Sequence, residues 1–172
     1  GNLMMEKLSK ELDFPFKQTG AFVVCVCEED KPKLQELYDK GVQNGVKGLR
    51  ILDKEETHEM EPNLTDQVVA ALYAPTSGIV CPFNMTIAFA ENAVENGVEF
   101  KLNTSVENIS KTENGYLVET SKGTFETKAV VNAAGVYADE IHNMVSEDKL
   151  KIVARRGDYC LLDKTAGNHV SR

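Results

Sequence analysis

The chain has 172 residues, 42% hydrophobic and 27% charged, with a formal net charge of -8. That composition is ordinary for a globular protein, and the length allows one domain with a core or two small lobes. An acidic chain without a Lys/Arg cluster argues against nucleic acid and anionic membranes as partners, and no apolar run is long enough to span a bilayer.

The spacing of Leu3, Met4, Leu8 and Leu12 predicts an opening helix. The β-branched run from Gly20 to Cys27 predicts a buried strand with Cys25 and Cys27 on one face. A helix follows over "EEDKPKLQELYDKGVQNG": Asp30 can cap it, Pro32 suits its first turn, and Leu34, Leu37 and Tyr38 line one face. Gly41 and Gly45 are expected to end it. "LRILDKEE" gives a short strand, after which Asp53 and Glu56 have capping-box spacing for a short helix broken at "EPNL". "QVVAALYAP" reads as a strand and "TSGIVCP" as a turn and bend.

Pro82 to Asn96 predicts a helix with Met85, Ala88, Phe89 and Ala93 inward and Gly97 as its stop. Alternating strands follow, "VEFKL" and "KAVVNAAG" among them, with hairpin turns at Asn114-Gly115 and Lys122-Gly123. Val136 to Val145 predicts a helix and Lys151 to Asp163 a last strand. The interleaved elements indicate an α+β fold.

The cysteines are Cys25, Cys27, Cys81 and Cys160, with no CxxC and no zinc spacing, so reduced thiols, no metal site and a cytoplasmic location are expected. His58 sits in a charged helix end and is expected in solvent, His142 half buried on the helix after the small-residue cluster, and His169 in a loop-like tail. None pairs with a nucleophile, which argues against a hydrolytic triad. The chain opens on a helix with no strand before it and stops soon after a strand, the organisation expected of a segment cut from a longer protein.

The chemistry concentrates in "KAVVNAAGVYADEI", Lys128 to Ile141. Ala133, Ala134 and Gly135 would let a ligand approach the backbone, and a helix start beyond them would offer free N–H groups. The alternative is a tight strand–helix crossing with small residues for packing. The chain contains no GxGxxG and no P-loop.

This stretch resembles the nucleotide-side motif of FAD-dependent oxidoreductases of the D-amino-acid oxidase/glycerol-3-phosphate dehydrogenase superfamily. "PTSGIVCPFNMTIAFAENAVENGVEFKLNTSV" precedes it and "ARRGDYCLLDK" follows it in the order that superfamily shows, closest to glycerol-3-phosphate and L-2-hydroxyglutarate dehydrogenase members. The resemblance implies a mixed-sheet substrate domain over residues 1–81. It implies a partial FAD-binding, Rossmann-like lobe over 82–148 lacking the N-terminal βαβ unit, and a return strand over 149–172. It implies FAD as cofactor of the full-length protein, with this segment alone inactive and not binding it. Ser105, Val106, Ala133, Ala134 and Gly135 would face the cofactor; the alternative for Val106 is a core strand position.

In the same resemblance "RRGDY" would lie near the flavin ring with Tyr159 facing the substrate, a small anionic hydroxy compound; the planar fork of Arg156 would suit its carboxylate or phosphate, and Tyr73 would line the same pocket. Period two puts Arg155, Gly157, Tyr159 and Leu161 on one strand face and Arg156 and Asp158 on the other, so Tyr159 and Arg156 share a site only across a bulge at Gly157. Alternatively Arg156 is a surface ion pair and Tyr159 and Tyr73 are core residues. An exposed apolar face is expected where flavin-domain strands would pair, with homodimerisation through such edges. Two readings of other classes stay open: a non-catalytic α+β binding or interaction module, and a sugar- or nucleotide-binding enzyme unrelated to flavin.

Overall fold

The computed structural model describes residues 1–160 and 163–167, in two units built on Gly1–Val98 and on Glu99–Cys160. In the first unit, β2 (Ala21–Cys25), β4 (Ala70–Ala74) and β3 (Arg50–Asp53) form an antiparallel sheet with β4 in the centre. Alternation along β4 sends Ala70 and Leu72 to one face, where they meet Cys25 and Leu34 in a buried cluster flanked by Tyr38, Leu49 and Val69. Leu34 comes from α2 (Lys31–Gln43), which covers that face. A leucine buried so fully contributes roughly 1.5–3 kcal/mol over an exposed one. The other face carries the row Phe22, Tyr73 and Arg50, paired across the three strands.

Helix α3 (Lys54–Met60) starts on the expected capping box. Asp53 Oδ1 accepts from Glu56 N–H at 2.8 Å, and Glu56 Oε2 accepts from Asp53 N–H at 3.3 Å. Glu56 Oε1 also pairs with Arg50, which ties the helix start to β3. α1 (Asn2–Glu11) leads to β1 (Phe16–Lys17), which pairs with β5 (Ile79–Val80) in a two-stranded ribbon. α4 (Pro82–Glu95) packs Phe89 edge-on against Phe14, at 5.9 Å between ring centres. This helix lies in the first unit, whereas the sequence groups it with the strands that follow.

The second unit is a three-stranded antiparallel sheet, β6 (Val106–Thr112), β7 (Gly115–Thr120) and β8 (Gly123–Thr127). A 3-10 turn, Gly135–Tyr137, then leads into α5 (Ala138–Val145), which packs on β6. Among the described residues no helix is long and apolar enough to cross a membrane.

Several expectations are corrected. Neither "VEFKL" nor "KAVVNAAG" forms a strand, and 151–160 carries no secondary structure. A strand is defined by a neighbour that takes its N–H and C=O groups, and these runs have none among the described residues. "TSGIVCP", by contrast, yields β5, because β1 lies within reach to pair with it. The run at Gly20–Cys27 is not wholly buried: Val23 and Val24 are exposed and the strand ends at Cys25. Cys27 therefore does not share a strand face with Cys25; its thiol turns to Asp30 Oδ2 at 3.2 Å.

Asp30 spends its carboxylate on Cys27 and Lys33 rather than on a backbone cap. Leu37 is 46% exposed, because the core lies on the Leu34–Tyr38 stripe. Gly41 lies inside α2, against Leu49, and the helix ends two residues later. His58 is half buried: its Nδ1–H donates to Lys54 O at 2.8 Å, which turns Nε2 inward with no hydrogen-bond partner among the described residues. In the hairpins, Glu113-Asn114 and Ser121-Lys122 are the turn residues, and Gly115 and Gly123 open the next strands. Leu161 and His169 lie outside the described residues.

Candidate functional site

The small-residue motif forms a loop held from within by its own asparagine. Asn132 Oδ1 accepts from Ala134 N–H at 3.2 Å, and Asn132 Nδ2 donates to Ala138 O at 2.7 Å. Tyr137 N–H closes the 3-10 turn onto Ala134 O at 3.1 Å. Between these ties Gly135 takes φ +59°, and a Cβ placed there would meet nothing within 4 Å among the described residues. The backbone at Ala133 to Gly135 is thus fixed yet open to approach from outside. Val131, Val136 and Tyr137 flank it as exposed apolar side chains.

Behind the loop, Ile109 and Tyr116 from the sheet, Val130 and Asn132 from the loop, and Ile141, His142 and Val145 from α5 line a pocket of about 190 Å³. Cross-strand pairing explains the sheet's share: Ile109 stands opposite Val118 and Tyr116 opposite Lys111, all on one face. The amphipathic spacing of α5 supplies the other wall. Ser105 and Val106 stand at the entry to β6, both exposed. Ser105 is tied to Ser121 twice, its N–H to Ser121 Oγ at 3.1 Å and its carbonyl to Ser121 N–H at 2.9 Å. Val106 is therefore not a core strand residue.

The substrate-facing candidates fall in different units. Tyr73 belongs to the first, half buried in β4, tilted against Phe22 at 5.2 Å between ring centres. Arg156 and Tyr159 belong to the second. Arg156 Nε donates to Asp158 Oδ1 at 2.7 Å, both side chains largely in water, and Tyr159 is 100% exposed. Period-two faces do not apply there, since the stretch is not a strand.

Asn132 and the downstream Asp139 belong to the motif that carries the resemblance, but the sequence did not reveal the bonds by which they and Asn143 organise this region. Each bonds main-chain groups several residues away, and a polar residue beside a glycine turn was the one signal available.

Comparison with known proteins adds to this geometry. The family model described as "DAO: FAD dependent oxidoreductase" matches residues 1–172. A glycerol 3-phosphate dehydrogenase of Caloramator mitchellensis is 52% identical over 170 residues, 99% of this chain and 35% of that protein. An L-2-hydroxyglutarate dehydrogenase of Indibacter alkaliphilus is 32% identical over 92% of this chain and 40% of its own length. Among solved structures, the L-alpha-glycerophosphate oxidase of Mycoplasma pneumoniae with FAD bound superposes at a TM-score of 0.73, with 29% identity, over 87% of this chain and 41% of that one. The L-proline dehydrogenase of P. horikoshii gives 0.73 and 32% over 83% and 38%. The chain spans less than half the length of these relatives.

Proposed function

The chain belongs to the FAD-dependent oxidoreductase family, and from that premise we propose that it is part of a longer flavoenzyme. Its substrate is a small anionic hydroxy compound, glycerol 3-phosphate ahead of a 2-hydroxy acid. The observation that carries this reading is the 52% identity, along almost the whole chain, with a glycerol 3-phosphate dehydrogenase. FAD, when bound, supplies the acceptor for the hydride leaving the substrate carbon.

The loop at Ala133–Gly135 fits a cofactor wall: its backbone is pinned by Asn132, and the space where a Cβ of Gly135 would stand is open. Ser105 and Val106, exposed at the entry to β6, are the second proposed cofactor contact. The chain holds no GxGxxG, so its share is a wall beside the nucleotide rather than the pyrophosphate cradle. Arg156 offers a planar fork suited to phosphate or carboxylate, and its exposed pairing with Asp158 costs little to exchange. Tyr159 and Tyr73 are the proposed orienting hydroxyls.

The test is absorbance of the whole gene product. A flavin band that bleaches anaerobically on adding glycerol 3-phosphate supports the reading. Bleaching by L-2-hydroxyglutarate alone moves the substrate to the 2-hydroxy acids. A colourless protein that takes up no added FAD overturns it.

A further inference from the structure

Helix α5 carries three side chains that bind the main chain of the segment behind it. Asp139, in its first turn, accepts from Ile152 N–H through Oδ2 at 2.8 Å. One turn later Asn143 pairs with both polar groups of Leu150, donating to its carbonyl at 2.8 Å and accepting from its N–H at 2.9 Å. His142 Nε2–H donates to Asp148 O at 2.9 Å. Lys149 closes the arrangement from the other side, donating to Asn143 O at 2.7 Å and Ser146 O at 2.9 Å at the helix end. The segment 148–152 therefore runs back along α5, held by side chains where a sheet would use a neighbouring strand.

The segment opens the stretch that ends in Arg156 and Tyr159, and 151–160 forms no ladder of its own. Beyond Ile152, as far as Cys160, the hydrogen bond seen among the described residues is local, Arg156 with Asp158. Among the described residues the last main-chain anchor before the substrate-facing candidates is thus the Asp139 carboxylate. With that anchor in place the four residues to Arg156 reach at most roughly 13 Å, and releasing it moves the anchor back to Leu150 and lengthens the reach to roughly 20 Å.

We propose that Asp139 and Asn143 are positioning residues that aim the Arg156–Tyr159 stretch at the substrate while touching neither substrate nor cofactor. This rests on the flavoenzyme reading and on Arg156 and Tyr159 facing the substrate. The same helix follows directly on the Ala133–Gly135 loop, so one rigid element serves both ends of the site.

The test uses Asp139→Ala, Asp139→Asn and Asn143→Ala in the whole gene product. Amide hydrogen exchange at 150 and 152 is measured together with KM, kcat and the flavin spectrum. Asp139→Ala should speed exchange at Ile152, and Asn143→Ala at Leu150, by about three- to tenfold. KM should rise by a similar factor with the flavin band and kcat nearly unchanged. Asp139→Asn keeps an acceptor oxygen and should restore both exchange and KM. Unchanged exchange in the alanine variants overturns the anchoring. Faster exchange with an unmoved KM, or loss of flavin in step with KM, overturns the positioning role. A native protein without flavin or turnover overturns the flavoenzyme reading itself, and the substrate half of this proposal with it.

Discussion

The ring of Tyr73 lies against Gly20, so that a Cβ at position 20 would stand 2.7 Å from Tyr73 Cε2. Gly20 also takes φ +75°, and its N–H donates to Ser77 O at 2.9 Å. Gly20→Ala must bear both backbone strain and a displaced ring, and the expected loss is roughly 1–3 kcal/mol. A urea titration of the native and variant proteins reads this as a lower midpoint. An unchanged midpoint would mean that Tyr73 swings away freely, which would weaken its case as a fixed part of any site.

At the start of α3, Asp53 caps the helix, and Thr57 Oγ1 donates back to Asp53 O at 2.6 Å from a buried position. Asp53→Ala is expected to cost about 1 kcal/mol. Arg50→Ala removes only a largely exposed partner of Glu56 and should cost well under that. Paired thermal melts rank the two, and a larger effect at Arg50 would mean that the ion pair rather than the cap holds the helix to β3.

Local signals in the sequence carried most of the helices and hairpins. The Asp53/Glu56 capping box, Gly97 after α4 and the two glycine-marked hairpins each depend on residues within one turn of one another. Pairing between distant runs was less legible. "VEFKL", "KAVVNAAG" and 151–160 have strand composition but find no partner among the described residues, and composition cannot tell a paired run from an unpaired one. The candidate site divides in the same way. The open loop at Ala133–Gly135 follows from three small residues in a row. Asp139 was legible as part of the motif, but its anchoring bond and that of Asn143 were not, because a side chain bonded to a main-chain group seven or thirteen positions on leaves no periodic trace.

Cys27 and Asp30 give a pH-dependent readout. The hydrogen bond to the Asp30 carboxylate holds the Cys27 thiol above its ordinary range, since ionisation would set two anions side by side. Asp30 is held below the usual carboxylate range, first by Lys33 and then by Cys27. The raised thiol contributes stability fully below its unfolded value, and that contribution fades as pH climbs through the folded one. The lowered carboxylate contributes above its unfolded value of about 3.9 and is lost as pH falls through the folded one. Iodoacetamide at pH 8 should therefore modify exposed Cys160 before Cys27, and Asp30→Ala should speed Cys27. Equal rates at Cys27 in native and variant protein would remove the carboxylate as the cause.

Asn132 and Gly135 separate a cofactor wall from a merely structural turn. Asn132→Ala frees Ala134 N–H and Ala138 O, so the loop loses both of its side-chain ties and keeps the main-chain bond of Tyr137 to Ala134. If the wall is made of that backbone, FAD affinity in the whole gene product falls by about tenfold, the equivalent of one net hydrogen bond's worth of order. Asn132→Asp keeps the acceptor for Ala134 but loses the donor to Ala138, and should fall between. Gly135→Ala meets no neighbour, so its effect on the empty protein is limited to the cost of a left-handed residue, roughly 1–2 kcal/mol. Its methyl, however, stands where a ligand would approach. Flavin fluorescence titration beside a urea midpoint resolves the two effects. A Gly135→Ala protein that binds FAD natively, with only its midpoint lowered, would place the cofactor elsewhere and leave this loop as the hinge into α5.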